Sequence, residues 1–195
     1  MRMRMLCLTT MLSCLFVGVA FGADTYTIDA VHSSIAFSIQ HLVINHVHGN
    51  FTEVSGNILY DEADITKSSV GVTLQASSIN TNNANRDKDL RSANFFDVEK
   101  YPTITFKSTR IEKQEGGWVC VGTLTMHGVS KEIAVPFTIT GKIKDPWGKT
   151  RIGIEGELTL NRQDFGISWN KMMEGGGLVI ANKVKVTLNV EAVQQ

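Results

Sequence analysis

An all-β domain of about eight antiparallel strands with one short helix is what this sequence predicts, and three observations predict it. Apolar and polar residues alternate with period two in one segment after another from Tyr26 onward. Turn-forming residues separate the segments at short intervals. A single stretch, Asn82 to Ser92, has helical composition.

The alternation is readable strand by strand. Ile35, Phe37 and Ile39 share one face, and a less regular strand follows around Phe51 to Tyr60. Val70, Val72 and Leu74 share the next, then Ile104 and Phe106, then Cys120, Gly122, Leu124 and Met126. Ile133, Val135, Phe137 and Ile139 lead to Ile152, Ile154, Leu158 and Leu160, and Val184, Val186, Leu188 and Val190 close the series. Gly116-Gly117, His127-Gly128-Val129-Ser130 and Asp145-Pro146-Trp147-Gly148 mark turns. The chain between Gln40 and Asn50 reads as a loop, and Gly175-Gly176-Gly177 as a flexible connection, with a lid over a barrel mouth as its alternative. In the helical stretch β-branched residues are absent and asparagines precede it, as suits an N-cap.

So many one-sided strands with so little helix to cover them must close into a barrel or pack as a sandwich. A sandwich fills its interior, whereas an eight-stranded barrel has room for one small ligand. Gly122 and Gly156 fall on the inward parity, which favours a cavity, although glycine also relieves strand curvature.

The first 22 residues read as a secretory signal: Arg2 and Arg4, an uncharged run from Met5 to Val19, and Ala20-Phe21-Gly22 before a cleavage at Ala23. The run is short for a membrane span and is diluted by Thr9, Thr10 and Ser13. Export and cleavage to a mature domain of residues 23–195 are therefore expected. Cleavage takes away two of the 19 cations and none of the 19 acids, so the mature chain is slightly acidic and has no basic stripe for nucleic acid. Cys7 and Cys14 leave with the leader, and Cys120 alone cannot form an internal disulfide.

Groups for catalysis are sparse. There is no G-x-S-x-G elbow, no phosphate-binding glycine loop and no acid pair beside a nucleophile, and Cys120 sits among apolar neighbours as a core residue would. The exception is a run of histidines, His32, His41, His46 and His48, which offers a metal-binding reading for an enzyme or stress protein as the alternative. In "RDKDLRSANFF" (86–96), alternating charges suggest a solvated helix face with i, i+4 pairs such as Asp87 with Arg91, while Leu90, Phe95 and Phe96 form an apolar underside that closes or lines the barrel.

The blocks "YTIDAVHSSIAFSIQHL", "GNFTEVSGNILYD", "RDKDLRSANFFDVEKYPTITFKS", "GTLTMHGVSKEI", "DPWGKTRIG", "NRQDFGISWN" and "VKVTLNVEAV" succeed one another along the whole mature chain. In that order they resemble the YceI-like, polyisoprenoid-binding proteins of the bacterial periplasm. The resemblance implies an extended, lipocalin-like antiparallel β-barrel of eight strands with a helix, around an apolar tunnel for a long isoprenoid or fatty-acyl chain. Asp89, Asn94 and Asn182-Lys183 depart from the family pattern, as do His46 and His48, which bears on the ligand headgroup more than on its tail.

The expected function is that of a non-enzymatic binder or carrier of a long-chain lipid, polyprenyl, quinone-like or acyl, with no catalytic residue, cofactor or metal and with envelope stress as a candidate setting. A tunnel needs few directed groups, because each CH₂ moved out of water gains about 0.8 kcal/mol. Candidate lining residues on the strands are Phe37, Ile39, Val72, Leu74, Ile104 and Phe106, then Leu124, Met126, Val135, Phe137, Ile154 and Leu158. Phe165, Ile167 and Trp169 join them from the segment before the last strand, Leu90, Phe95 and Phe96 from the helix, and His127 as a candidate for the headgroup. Ordinary core packing selects the same residue types, and about half of the inward candidates, from Phe37 through Trp169, are expected to touch ligand. A membrane touched transiently during loading and a second copy of the chain are candidate partners; a barrel with a filled core is the remaining reading.

Overall fold

The computed structural model describes residues 22–195, so the predicted leader, apart from Gly22, lies outside the described residues. Eleven strand segments and one α-helix occur in order: β1 (Asp24–Ile28), β2 (Ser34–His41), β3 (Asn45–Phe51), β4 (Val54–Tyr60), β5 (Ser69–Gln75), β6 (Ile79–Asn80), α1 (Ala84–Arg91), β7 (Thr103–Gln114), β8 (Gly117–Met126), β9 (Val129–Lys144), β10 (Thr150–Asn161) and β11 (Ile180–Gln194). All pairings are antiparallel.

The eight expected strands are present, three of them bent into two segments each. The 15-residue β11 pairs with β1 through Ala192–Gln194 and with β2 through residues from Ile180 to Asn189, so β1 and β2 are successive parts of one wall strand. Between them the Asp29 carboxylate accepts the backbone N–H groups of Val31 and His32 and fixes the bend. In the same way β3 and β4 form one strand and β5 and β6 another. The ring runs β1-β4-β5-β7-β8-β9-β10-β11 and closes where Tyr26 to Ile28 meet Gln194 to Ala192. Closure settles the choice between barrel and sandwich in favour of the barrel, and it removes most free edges.

The stretch expected as a loop from Gln40 to Asn50 is instead a hairpin whose tip is Leu42 to Ile44. Its alternation is hidden because Gly49 takes an inward position: a Cβ there would stand 2.5 Å from the Phe37 ring. At His127-Gly128 both residues have positive φ, 52° and 74°, the turn that matches the twist of a two-residue hairpin.

Strand directions define two ends. The tips at 42–44 and 127–128, helix α1 and the segment 162–179 gather at one; the connections 61–68, 115–116 and 145–149 gather at the other. The helix is two residues shorter at its start and one at its end than the sequence suggests, with the Asn83 side chain accepting the Arg86 N–H at 3.0 Å as its N-cap. No described helix is long and apolar enough to cross a membrane.

Candidate functional site

Inside the barrel lies a cavity of about 190 Å³. Its walls come from both halves of the ring: Val72 and Leu74 of β5, Ile104, Phe106 and Ile111 of β7, Leu124 of β8, Val135 and Phe137 of β9, Ile154 and Leu158 of β10, and Val186, Leu188 and Val190 of β11. Of its lining side chains only Tyr60, Ser68, Ser69 and Cys120 carry a polar atom. Tyr60 and Ser68 flank the 61–68 loop, Ser69 is exposed opposite the outward-facing Leu59, and the surface presented to the chamber is almost wholly apolar. Burial pushes the Cys120 thiol up to about 11, which leaves it a neutral, apolar part of the wall.

Chemistry of the wall stems from strand parity. Residues at i, i+2 and i+4 share the inward face, and the register carries each row across the sheet, as in Phe37–Val186–Leu158 or Phe106–Leu124. Gly156 lies in one such row and lines the cavity, as its parity suggests. Gly122 does not line it: the Phe106 ring covers it, 2.6 Å from where a Cβ would stand, and the missing side chain makes room for that ring.

Of the strand candidates, Val72, Leu74, Ile104, Phe106, Leu124, Val135, Phe137, Ile154 and Leu158 line the cavity. The others are placed elsewhere, and for a common reason: the helix end of the barrel is filled. Phe37 and Ile39 lie on β2 toward that end, where the Phe37 ring packs against Phe51 at 6.1 Å between centroids. Phe96 meets Phe51 edge-on at 5.7 Å, and Phe95 stacks against Trp169 at 5.4 Å. Leu90 packs against the same core, while Phe95, Met126, Phe165 and Ile167 are buried within it. Trp169 is partly exposed on its outer rim. These residues form a plug, and none of them lines the cavity.

His127 is also accounted for without a ligand. Its Nδ1 is 3.1 Å from the Phe165 carbonyl oxygen and its ring meets Tyr101 at 4.7 Å, so it ties the β8–β9 turn to the plug. The Gly175–Gly177 loop lies at this closed end, which removes it from the position of a lid over the mouth.

The charges of "RDKDLRSANFF" are divided: Lys88 and Asp89 are exposed, as a wet face requires, but Asp87 and Arg91 do not pair with each other. Asp87 is buried and accepts both the N–H and the hydroxyl of Thr81, at 2.9 and 2.5 Å. Arg91 donates to the carbonyl oxygens of Ser77 and Ile79, and Arg86 to the carbonyl and hydroxyl oxygens of Thr81. Strand β6 pairs only with β3, so its outer edge would otherwise expose unpaired carbonyls. The two guanidinium groups satisfy that edge and fasten the plug to it.

Residues missed by pattern reading include Ile65 and Ser68 at the other end, in the short 61–68 connection, which has no period to read, and Ser69, the first residue of β5. Tyr60 packs edge-on against Tyr26 at 5.9 Å, and the Tyr26 hydroxyl is buried with no hydrogen-bond partner. Burial raises the pKa of both phenols, so both remain neutral donors at physiological pH.

The four histidines of the metal reading do not come together. His46 and His48 share the face of β3 opposite Gln40 and Ser38, His41 is on the other parity of β2, and His32 lies in the β1–β2 bend. Among the described residues, the one group of three possible ligands close enough for an ion is Asp29, His32 and Glu191. Its carboxylates are already bridged by Arg151, whose Nη1 donates to Asp29 at 2.9 Å and to Glu191, while Nε donates to Asp145 at 2.7 Å. A cation would have to displace that guanidinium.

Comparison with known proteins agrees with this geometry. The model of the YceI-like domain matches residues 26–192. A "UPF0312 protein" of Serratia proteamaculans is 41% identical over 156 residues, covering 79% of this chain and 81% of its own. Among solved structures, the YCEI protein of Campylobacter jejuni superposes with a TM-score of 0.69 at 33% identity, covering 80% of this chain and 90% of that one. A polyisoprenoid binding domain from Saccharophagus degradans, implicated in plant cell wall breakdown, superposes at 0.65 with 18% identity over 87% of this chain and 98% of its own, a likeness of fold. With a family match that spans nearly the whole barrel, this chain belongs to the YceI-like family.

Proposed function

We propose that this protein binds and carries, without catalysing a reaction, a long-chain isoprenoid or fatty-acyl lipid in the periplasm. The observation that carries the reading is the chamber itself, about 190 Å³ with almost wholly apolar walls. An apolar tail gains about 0.8 kcal/mol for each CH₂ it removes from water there, and needs no directed contacts along its length. A polar head would stay outside these apolar walls, toward the 61–68 loop. The polyisoprenoid binding domain of Saccharophagus degradans, with the same fold, supports an isoprenoid as the first ligand to test.

Native mass spectrometry of protein purified gently from the periplasm tests the proposal. A lipid mass that solvent extraction removes, and that added lipid of the same class restores, is the expected result. A bare polypeptide that also takes up no prenyl or acyl lipid on titration overturns it, and a stoichiometric metal ion in its place directs attention to the Asp29, His32 and Glu191 group.

A further inference from the structure

Strand β9 is shared along its length: residues 129–137 pair with β8 and residues 137–144 with β10. Because β8 begins at Gly117, beside Phe137 and Thr138, the β9–β10 hairpin runs on past the neighbouring β7–β8 turn, by roughly 20 Å at about 3.3 Å per residue. Its tip carries Trp147, 81% exposed, and Ile143, 63% exposed. Around them stand Lys144 and Lys149, both exposed and, among the described residues, in no ion pair.

The one acid of the tip is turned inward. Asp145 is buried, accepts the backbone N–H groups of Trp147 and Lys149 at 3.0 and 2.9 Å, and is neutralised by Arg151. Of the nearby acids, Glu62 pairs with Lys142, Asp64 with Lys67, and Asp61 accepts the N–H groups of Ala63 and Asp64, while Asp24, at the start of β1, is in no ion pair among the described residues. The hairpin thus presents a rigid, cationic and aromatic surface. It stands at the 61–68 end of the cavity, since Lys142, in its first arm, lies 6.0 Å from the centroid of the Tyr60 ring that lines the chamber.

A tryptophan flanked by lysines suits a membrane–water interface, where the indole sits at headgroup level and the ammonium groups meet anionic lipid. From this surface we infer that the β9–β10 hairpin docks the mouth of the barrel onto an anionic bilayer. Trp147 and Ile143 enter the headgroup layer, and Lys144 and Lys149 pair with lipid phosphates. This rests on the reading of the barrel as a lipid carrier, for which it supplies the place of loading.

The test is co-sedimentation of the mature protein with vesicles of phosphatidylcholine alone and of phosphatidylcholine mixed with phosphatidylglycerol, at low and high salt. Binding is expected to the mixed vesicles, to weaken with salt, and to fall on the order of 5-fold for each of Lys144→Gln and Lys149→Gln. Trp147→Ala is expected to weaken it further and to abolish a blue shift of the tryptophan emission. Equal binding by wild type and all three variants overturns the inference, as does failure of the wild type to bind either vesicle. Loss of binding in Ile44→Asp with the hairpin variants unaffected overturns it too, by placing the contact at the opposite tip. Native mass spectrometry of the same samples separates the two proposals. Bound lipid without vesicle binding refutes docking alone, and vesicle binding without any lipid uptake refutes carriage alone.

Discussion

Val186→Phe probes whether the chamber holds a lipid tail. Val186 lies near the middle of β11, opposite Leu158 on one side and Phe37 on the other, and its side chain lines the cavity. The substitution adds four carbons that have nowhere to go but into the 190 Å³ chamber. If the tail of the ligand occupies the same space, roughly four of its carbons are displaced, at about 0.8 kcal/mol each. The expected loss is therefore about 3 kcal/mol, on the order of a hundredfold in affinity. Because the ring enters existing space, it should cost less than the ~1–3 kcal/mol of overpacking a filled core. The assay is displacement of a fluorescent polyene fatty acid, with circular dichroism and a thermal melt to establish that the barrel is intact. Val190→Phe, which lines the same chamber, repeats the test, and Lys183→Leu on the outer face is the control. A folded Val186→Phe or Val190→Phe protein with wild-type affinity refutes the assignment of the tail to this cavity.

Other consequences concern stability and export. Arg151 bridges Asp29, Asp145 and Glu191 from a largely buried position, so Arg151→Met strands three carboxylates and should lower the Tm by roughly 10 °C in a thermal melt. The Asp29 carboxyl is held at about 2 by hydrogen bonds from the His32 ring and then from Arg151, and Asp145 is lowered mainly by Arg151. Carboxyls depressed in the folded state contribute stability above their unfolded pKa near 4 and lose it as the pH falls toward 2. A denaturant series across that window should show Asp29→Asn shedding about 1–2 kcal/mol less than wild type, solvent screening included. Phe95→Ala opens the buried plug and should cost about 3–5 kcal/mol, with faster amide exchange across residues 84–98. If the chain is exported as proposed, N-terminal sequencing of the mature protein should begin at Ala23.

Period-two alternation made most of the walls legible, because an inward face must be apolar whatever lies behind it. For the same reason it could not say where the interior is hollow. Phe37 and Phe106 have the same parity and the same chemistry, yet Phe106 lines the chamber and Phe37 packs against Phe51 at the plug. What separates them is the course of residues 92–102 and 162–167, whose buried side chains fill one end of the barrel without any regular period. The bends within the first three wall strands were equally hidden, since Thr52 and Glu53 interrupt a strand without a glycine or proline to announce it. His127 read as a headgroup contact because position alone places it at a strand end; its actual partner, the Phe165 carbonyl, is 38 residues away.

Charge in "RDKDLRSANFF" shows how topology changes the meaning of a pattern. On an isolated helix, Asp87 and Arg91 at i, i+4 spacing would pair with each other for a few tenths of a kcal/mol. Here β6 ends after two residues with no strand beyond it, so its carbonyls compete for the same guanidinium groups, and leaving such carbonyls buried and unpaired costs about 1–3 kcal/mol each. The cost of stranded carbonyls outweighs the gain of a surface ion pair: Arg86 and Arg91 turn to the backbone, Asp87 to Thr81, and the helix becomes the fastening of the plug. The plug fills one end of the barrel, and the cavity walls reach Tyr60, Ile65 and Ser68 at the other. On the proposed reading of a lipid carrier, the tail enters first from that second end and the head stays toward the 61–68 loop, which is also the end from which the β9–β10 hairpin projects.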